Sequence, residues 1–440
     1  MKYSWIVIVL LLCGNPLPAQ SLRAGYAKVD ITPTESVFMG GYNLRNAPSE
    51  GIHGNDKLYV RALVFDDGKT KVAFVVADII GLRVHDVWRA KIAEATGIPV
   101  AGILLGDVHN HSAPPASPKG ETQWERRFEP ALLAAVRDAA AALQPVSIVA
   151  GAGISRIGMN RRQVRARDEE SPLTFDENDH SQSFGKDKTD KPVQIQEFAD
   201  VIQLKANPAK AIDEAVQVVR IDTLGGKPLA VMIHYACHGT SLGGRNGKIS
   251  GEWMGRMQEY VEKQFPGVGA IYLQGAAGDV NPRAVGGLDG YKDDINTTWA
   301  LGEEIGREVA RVYRSLLPAE PASARIQLET KEILLPRQYR ELRENFANTV
   351  VVVPTTAVRI GDLMWVTFPG EMFSSIGKLV KAASPATCAH VMGYTNGSIG
   401  YFPEQKAYAE GGYEVAATHL DPASERIYLR EVAELMKRFR

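Results

Sequence analysis

Three short segments hold the side chains best suited to gripping a metal ion. GDVHNHSAPP carries His109 and His111, two apart. Residues two apart on an extended segment face the same way, so both rings can point into one pocket. HYACHGTSL carries His234 and His238 beyond the apolar run PLAVMI. His238, beside Gly239 and Thr240 at the start of a loop, is the better ligand candidate, and His234 reads equally well as a hydrogen-bonded core histidine. FPGEMF sets Glu371 after a Pro-Gly turn and ahead of a helical pattern. Two histidines and one carboxylate make a standard catalytic zinc set that keeps a position open for water. Each residue also has a plainer reading: a solvated loop pair for His109 and His111, and a carboxylate at a helix N-terminus for Glu371.

These segments must be presented by a scaffold, and the pattern predicts an α/β one. AGYAKVDITP alternates like a strand, and LYVRALVFDDGKTKVAFVVADI reads as a hairpin about an Asp-Gly turn. A second hairpin is predicted about Gly225 and Gly226, with further strands at SIVAGAGIS, GAIYLQGAAG and across 323–368. Apolar residues at helical spacing predict helices over 84–96, ERRFEPALLAAVRDAAAAL, 250–264, 300–316, EMFSSIGKLVKAAS and ASERIYLREVAELMKRF. Strands and helices interleave with no second composition regime, so the expectation is one large domain of mixed sheets flanked by helices. Segment 162–199 is charged and aperiodic, and is expected to be a surface excursion or lid.

The chain has 440 residues, 45% of them hydrophobic and 23% charged, enough apolar mass for a large core. A formal net charge of -1 argues against nucleic-acid binding, which favours a basic stripe. Lys2 followed by WIVIVLLL and LPAQS reads as a cleaved signal peptide over 1–20, giving a mature chain of 21–440 and a secreted or periplasmic location. Cys13 raises a lipoprotein alternative, disfavoured because Leu12 stands where a small residue belongs. No later segment is long and apolar enough to span a bilayer. After cleavage Cys237 and Cys388 remain, and one disulfide between them is open.

Taken together and in order, the motifs resemble the neutral ceramidase family. AGYAKVDITP, MGGY and the LYVRALVF run leading to an Ala-Asp are similar to that family's opening. VHNHSAP, NRR, ACHGTS, GDVNPR, FPGE, YTNGSIGY and GGYE then match its later motifs over roughly residues 24–416. The resemblance implies one zinc ion per chain, with ligands His109, His238, Glu371 and Tyr401. It implies His111 facing the scissile bond, Arg161 holding substrate and Tyr413 near the reaction centre. It implies hydrolysis of an N-acyl amide, with a ceramide-type lipid as the leading substrate. Esterase or deacylase action on glycans or other N-acyl compounds stands as an alternative, as does a secreted binding protein without catalysis. Two departures are visible. The family serine of G-D-V-S-P-N is Asn281 here, which has no hydroxyl to form an acyl-enzyme but keeps an amide for binding substrate or an oxyanion. The family's C-terminal immunoglobulin-like domain has no counterpart in this sequence.

Overall fold

The computed structural model describes residues 21–42, 45–164, 202–285, 294–317, 325–338 and 349–439. Strands β1 (Arg23–Asp30), β2 (Tyr59–Asp66), β3 (Lys71–Ala77), β4 (Ile103–Asp107) and β5 (Gln144–Ile154) share one sheet with β8 (Ala215–Thr223), β9 (Pro228–Tyr235) and β10 (Gly269–Gln274). Its order is β10-β9-β8-β5-β1-β2-β3-β4, with parallel pairs at both edges, β9 with β10 and β3 with β4. The other pairs are antiparallel.

The apolar alternation explains why this sheet is sandwiched. Val60, Ala62 and Val64 of β2, with Ala73 and Val75 of β3, face a core closed by helices His85–Thr96 and Gln123–Ala141. Their neighbours Leu63, Phe65, Val72 and Phe74 face the opposite core. There Phe74 packs edge-on against Trp365, ring centres 5.1 Å apart. Trp365 belongs to a second sheet of β12 (Ile326–Pro336), β13 (Val350–Ile360), β14 (Leu363–Thr367) and β16 (Cys388–Met392), in that order, with β14 and β16 parallel. Helices Ser374–Ala382 and Ser424–Met436 cover its far side. Helices Glu252–Gln264 and Ile295–Ser315 pack on the β8–β10 end and on each other, where a side chain at Gly302 would collide with the Trp253 carbonyl. Two small sheets complete the fold: β11 (Val280–Pro282), β6 (Gly158–Val164) and β7 (Ile202–Asn207), and the parallel pair β15 (Glu371–Met372) with β17 (Tyr401–Phe402).

The expected α/β class, both hairpins and all six helices are present, with shifted ends. The fourth predicted helix starts at Ile295, because the Asp294 side chain accepts from Asn296 N at 3.0 Å and caps it earlier. The fifth starts at Ser374, because Glu371 and Met372 pair with Tyr401 and Phe402 instead. The polar segment expected from 162 onward begins later: Arg162 to Val164 are strand, and the Arg162 guanidinium is fully buried. Residues 165–199 of that segment, and the signal segment 1–20, lie outside the described residues. Cys237 and Cys388 are free thiols.

Strand ends β4 and β9 lead into the two histidine loops, and one buried carboxylate ties these loops together. Glu252 accepts from Ser241 N and Leu242 N at 3.1 Å each, from Ser112 Oγ at 3.1 Å, and from Ser241 Oγ. It does so from a left-handed backbone, φ 57°. Truncation leaves these buried donors unanswered. Glu252→Ala is therefore expected to lower unfolding free energy by about 3 kcal/mol, read from the denaturant midpoint by circular dichroism. A shift below about 0.5 kcal/mol would show that the loops hold without this carboxylate.

Candidate metal centre

The site lies where the C-terminal ends of β4, β9, β10, β14 and β16 meet, so strands from both large sheets contribute. Backbone hydrogen bonds stitch the two sheets together there. Gly393 N donates to Gln274 O at 3.0 Å and Asn396 N to Leu105 O at 2.8 Å. The Gln274 amide donates to Val108 O and Cys237 O, bridging the two histidine loops at 3.1 and 2.8 Å. Gly239 O accepts from His111 N at 2.9 Å.

His109, His238 and Glu371 converge. Glu371 Oε2 lies 3.1 Å from His238 Nε2 and 3.5 Å from His109 Nε2. His238 is wholly buried, and its Nδ1 faces the carbonyl oxygens of Ala277 and Val280 at 2.7 and 3.1 Å. Carbonyls only accept, so Nδ1 carries a proton and Nε2 is the nitrogen turned toward the cluster. That nitrogen points at a carboxylate oxygen 3.1 Å away, and an ion bound tetrahedrally at about 2.0–2.1 Å spaces its donors by about 3.3 Å. The arrangement fits a small metal ion. The Glu371 carboxyl is held at about 2: burial alone would raise it, but His109, His238 and Arg161 outweigh burial. Burial pushes His109 down to about 3, with His238 and Arg161 adding to the effect against Glu371. It is therefore an unprotonated, ligand-ready imidazole at neutral pH.

His109 and His111 do not meet for the reason their spacing suggests. Both lie beyond β4, and His109 has φ 56°, a left-handed conformation that costs about 1 kcal/mol outside glycine. The Asp107 carboxylate holds that turn by accepting from His109 N at 2.9 Å. The rings nevertheless stand 4.8 Å apart. His111 is 9% exposed, and neither ring nitrogen has a hydrogen-bond partner among the described residues. Burial, then His109, His238 and the arginines 45 and 161, keeps it neutral. One donor atom each from His109, His111 and His238 falls within a 4.8 Å cluster, so His111 borders the same volume. Gly41 makes room for it: a Cβ there would sit 2.3 Å from His111 Nδ1.

The other expected residues gather round the Arg161 guanidinium. Its Nη2 donates to Tyr401 OH at 3.0 Å, and its Nη1 to Asn281 Oδ1 at 3.2 Å and toward His238 Nε2 at 3.4 Å. Tyr401 is the strand neighbour of Glu371 in the β15–β17 pair, which brings it to the cluster. Tyr413 lies edge-on to Tyr401 at 5.4 Å, with burial raising its hydroxyl to about 12. All eight expected residues thus share one neighbourhood, whereas His234 lies apart, with Nε2 bonded to Val391 O at 2.8 Å.

The plainer reading of Glu371 fails on geometry. Helix Ser374–Ala382 is capped by Asp279, whose carboxylate accepts from Ser374 N at 2.7 Å. Sequence reading missed Tyr394, which stacks on His109 at 4.2 Å and brings its hydroxyl to 3.5 Å from Glu371. It also missed Glu414, wholly buried behind Arg161. The signal for both was in hand, since YTNGSIGY and GGYE contain them.

No family model matches the chain. Neutral ceramidase B of Dictyostelium discoideum is 24% identical over 325 residues, covering 68% of this chain and 38% of that protein. Neutral ceramidase A of the same organism is 23% identical over 384 residues, 76% of this chain and 45% of that protein. The chain thus spans less than half the length of these relatives. Among solved structures, a neutral ceramidase from Pseudomonas aeruginosa superposes with a TM-score of 0.70 at 18% identity, over 95% of this chain and 75% of that one. A structure described as ceramidase complexed with C2 gives 0.72 at 18% identity, over 95% and 76%. The chain thus resembles neutral ceramidases in sequence and shares the fold of their solved structures.

Proposed function

We propose that this chain is a secreted, zinc-dependent hydrolase of N-acyl amides, with a ceramide-type lipid as the leading substrate. Residues 1–20 would be a signal peptide and 21–440 one catalytic unit. The observation that carries the reading is the convergence of His238 Nε2 and His109 Nε2 on Glu371 Oε2, at 3.1 and 3.5 Å. The named relatives supply the amide chemistry, since each is described as a neutral ceramidase.

His109, His238, Glu371 and Tyr401 would hold the ion. Zinc at such a site acts as a Lewis acid and brings the pKa of water toward about 7. The chain's own residues do the rest. Neutral His111 faces the cluster and can take a proton from water or hand one on. Tyr413 keeps its proton at neutral pH and can donate it to the leaving nitrogen. Water oxygen adds to the carbonyl carbon, the C–N bond breaks, and the amine leaves with the transferred proton. Arg161 is a fixed cation for the acyl oxygen or a neighbouring hydroxyl. Asn281 points its Oδ1 at Arg161 and accepts from Thr240 Oγ1 at 3.4 Å, which turns its amide nitrogen the other way as a donor. That donor can hold the oxygen on which charge develops. Having no hydroxyl at 281 favours direct attack by water. The same feature favours a second reading, deacylation of a different N-acyl compound.

Metal content and turnover on single variants test the assignment. His109→Ala and His238→Ala should each lose most of about one zinc per chain and lose turnover with it. His111→Ala should keep zinc and fold but lose turnover by on the order of a hundredfold. Full zinc in His238→Ala, or zinc loss confined to His111→Ala, would reverse the ligand roles.

The route has its own signature. Pre-steady-state release of the amine should show no burst, and hydroxylamine should trap no acylated protein. Asn281→Ala should lower kcat by about a hundredfold with KM changed far less. A burst of one equivalent of amine would mean that another nucleophile forms an acyl-enzyme.

A further inference from the structure

Arg161 and Arg162 are adjacent on β6, and side chains of adjacent strand residues normally point to opposite faces. Here both guanidinium groups reach one carboxylate. Arg161 Nε donates to Glu414 Oε1 at 2.8 Å, and Arg162 Nη1 to Glu414 Oε2 at 2.5 Å. The register with β7 slips here: between the pairs Asn160–Asn207 and Arg162–Leu204, two β7 residues, Lys205 and Ala206, stand opposite the single residue Arg161. Asn160 holds the strand at this point. Asn160 Oδ1 accepts from Arg162 N at 2.9 Å, and Asn160 Nδ2 donates to Asp279 Oδ2 at 2.8 Å. Arg162 also donates to Gly411 O at 2.7 Å and to Glu410 at 3.2 Å, and Glu410 lies 3.8 Å from Lys210.

We infer that Glu414 is the positioning residue for Arg161, and that Arg162 is present to satisfy Glu414. A lone buried Arg161–Glu414 pair would cancel the charge that the site uses. With Arg162 engaging the second carboxylate oxygen, Glu414 is neutralised from behind. Arg161 then keeps a net positive charge toward Tyr401, Asn281 and His238, in an orientation fixed through its Nε. Both side chains of the Arg162–Glu414 pair are fully buried, so water does not screen the arrangement. Nothing in this chain of contacts requires Glu414 to touch substrate. The role rests on the hydrolase reading above for its effect on turnover, but not for its effect on the arginine.

The test therefore has two arms on the full chain. In the first, the Arg Nε–H resonances are followed by 15N NMR, with Arg161→Met and Arg162→Met supplying the assignments. The native protein should show slowly exchanging signals for both, and Glu414→Gln should speed exchange of the Arg161 signal at least tenfold. In the second, zinc content, kcat and KM for an N-acyl amide are measured for Glu414→Gln, Arg161→Met and the double variant. Glu414→Gln should retain zinc, lose kcat ten- to a hundredfold, and change KM less than threefold. In the Arg161→Met background it should cost no more than a further twofold. Glu414→Asp, which keeps the charge but falls short of Arg161, should repeat that pattern if the glutamine variant does not fold. Multiplying losses in the double variant, or an unmoved Arg161 signal, would overturn the inference. A native chain that neither holds zinc nor cleaves amides, yet shows the Glu414-dependent signal, would sink the hydrolase reading and leave the positioning role standing.

Discussion

A carboxylate almost surrounded by protein must be answered by positive charge, and Glu371 sets that requirement for this fold. Its oxygen faces His238 and His109 with Tyr394 above, and Arg161 supplies a permanent cation nearby. Arg161 in turn is held by Glu414, and Glu414 by Arg162. These groups around the site form one connected chain rather than a set of separate pairs. Partly satisfied networks of this kind are costlier than an apolar core. That cost gives the surrounding loops a reason to be so heavily hydrogen-bonded.

The sheets supply the rigidity that this network needs. Both faces of β2 and β3 are buried, one under helices and the other under Trp365 and its neighbours. The strand ends emerging from that double core are fixed before any loop begins. Three of the left-handed non-glycine residues, His109, Tyr394 and Asn396, occur within a few residues of the ends of β4 and β16. Backbone strain of about 1 kcal/mol at each is tolerable because Asp107 and the Asn396 side chain, which accepts from Leu105 N at 2.9 Å, pin the turns.

Much of this was legible in the sequence, for identifiable reasons. Period-two and helical patterns report burial, and burial is what fixes strands and helices, so the class and nearly every element could be read. The ligand candidates were legible because histidine and glutamate at strand ends are chemically conspicuous. What could not be read depends on contacts between distant segments. That Asp279 caps the helix after Glu371, freeing Glu371 for the cluster, involves residues far apart in the chain. The register slip between β6 and β7 leaves no local pattern, and the run beginning at Arg162 looked like solvent-exposed charge because its partner, Glu414, is 252 residues away. Tyr394 went unnoticed, since stacking on His109 depends on a backbone turn that composition does not encode.

The wide spacing of the donors also decides when the site can come into being. His109, His238, Glu371 and Arg161 stand on segments far apart in the chain, drawn from both large sheets and the small β6 sheet. Such non-local contacts form late, after most of the chain-closure entropy has been lost. An ion therefore has no half-built cradle to enter while the chain is still being ordered. A metal that binds here acts as a latch on a finished structure, and its affinity reports the integrity of the whole two-sheet assembly.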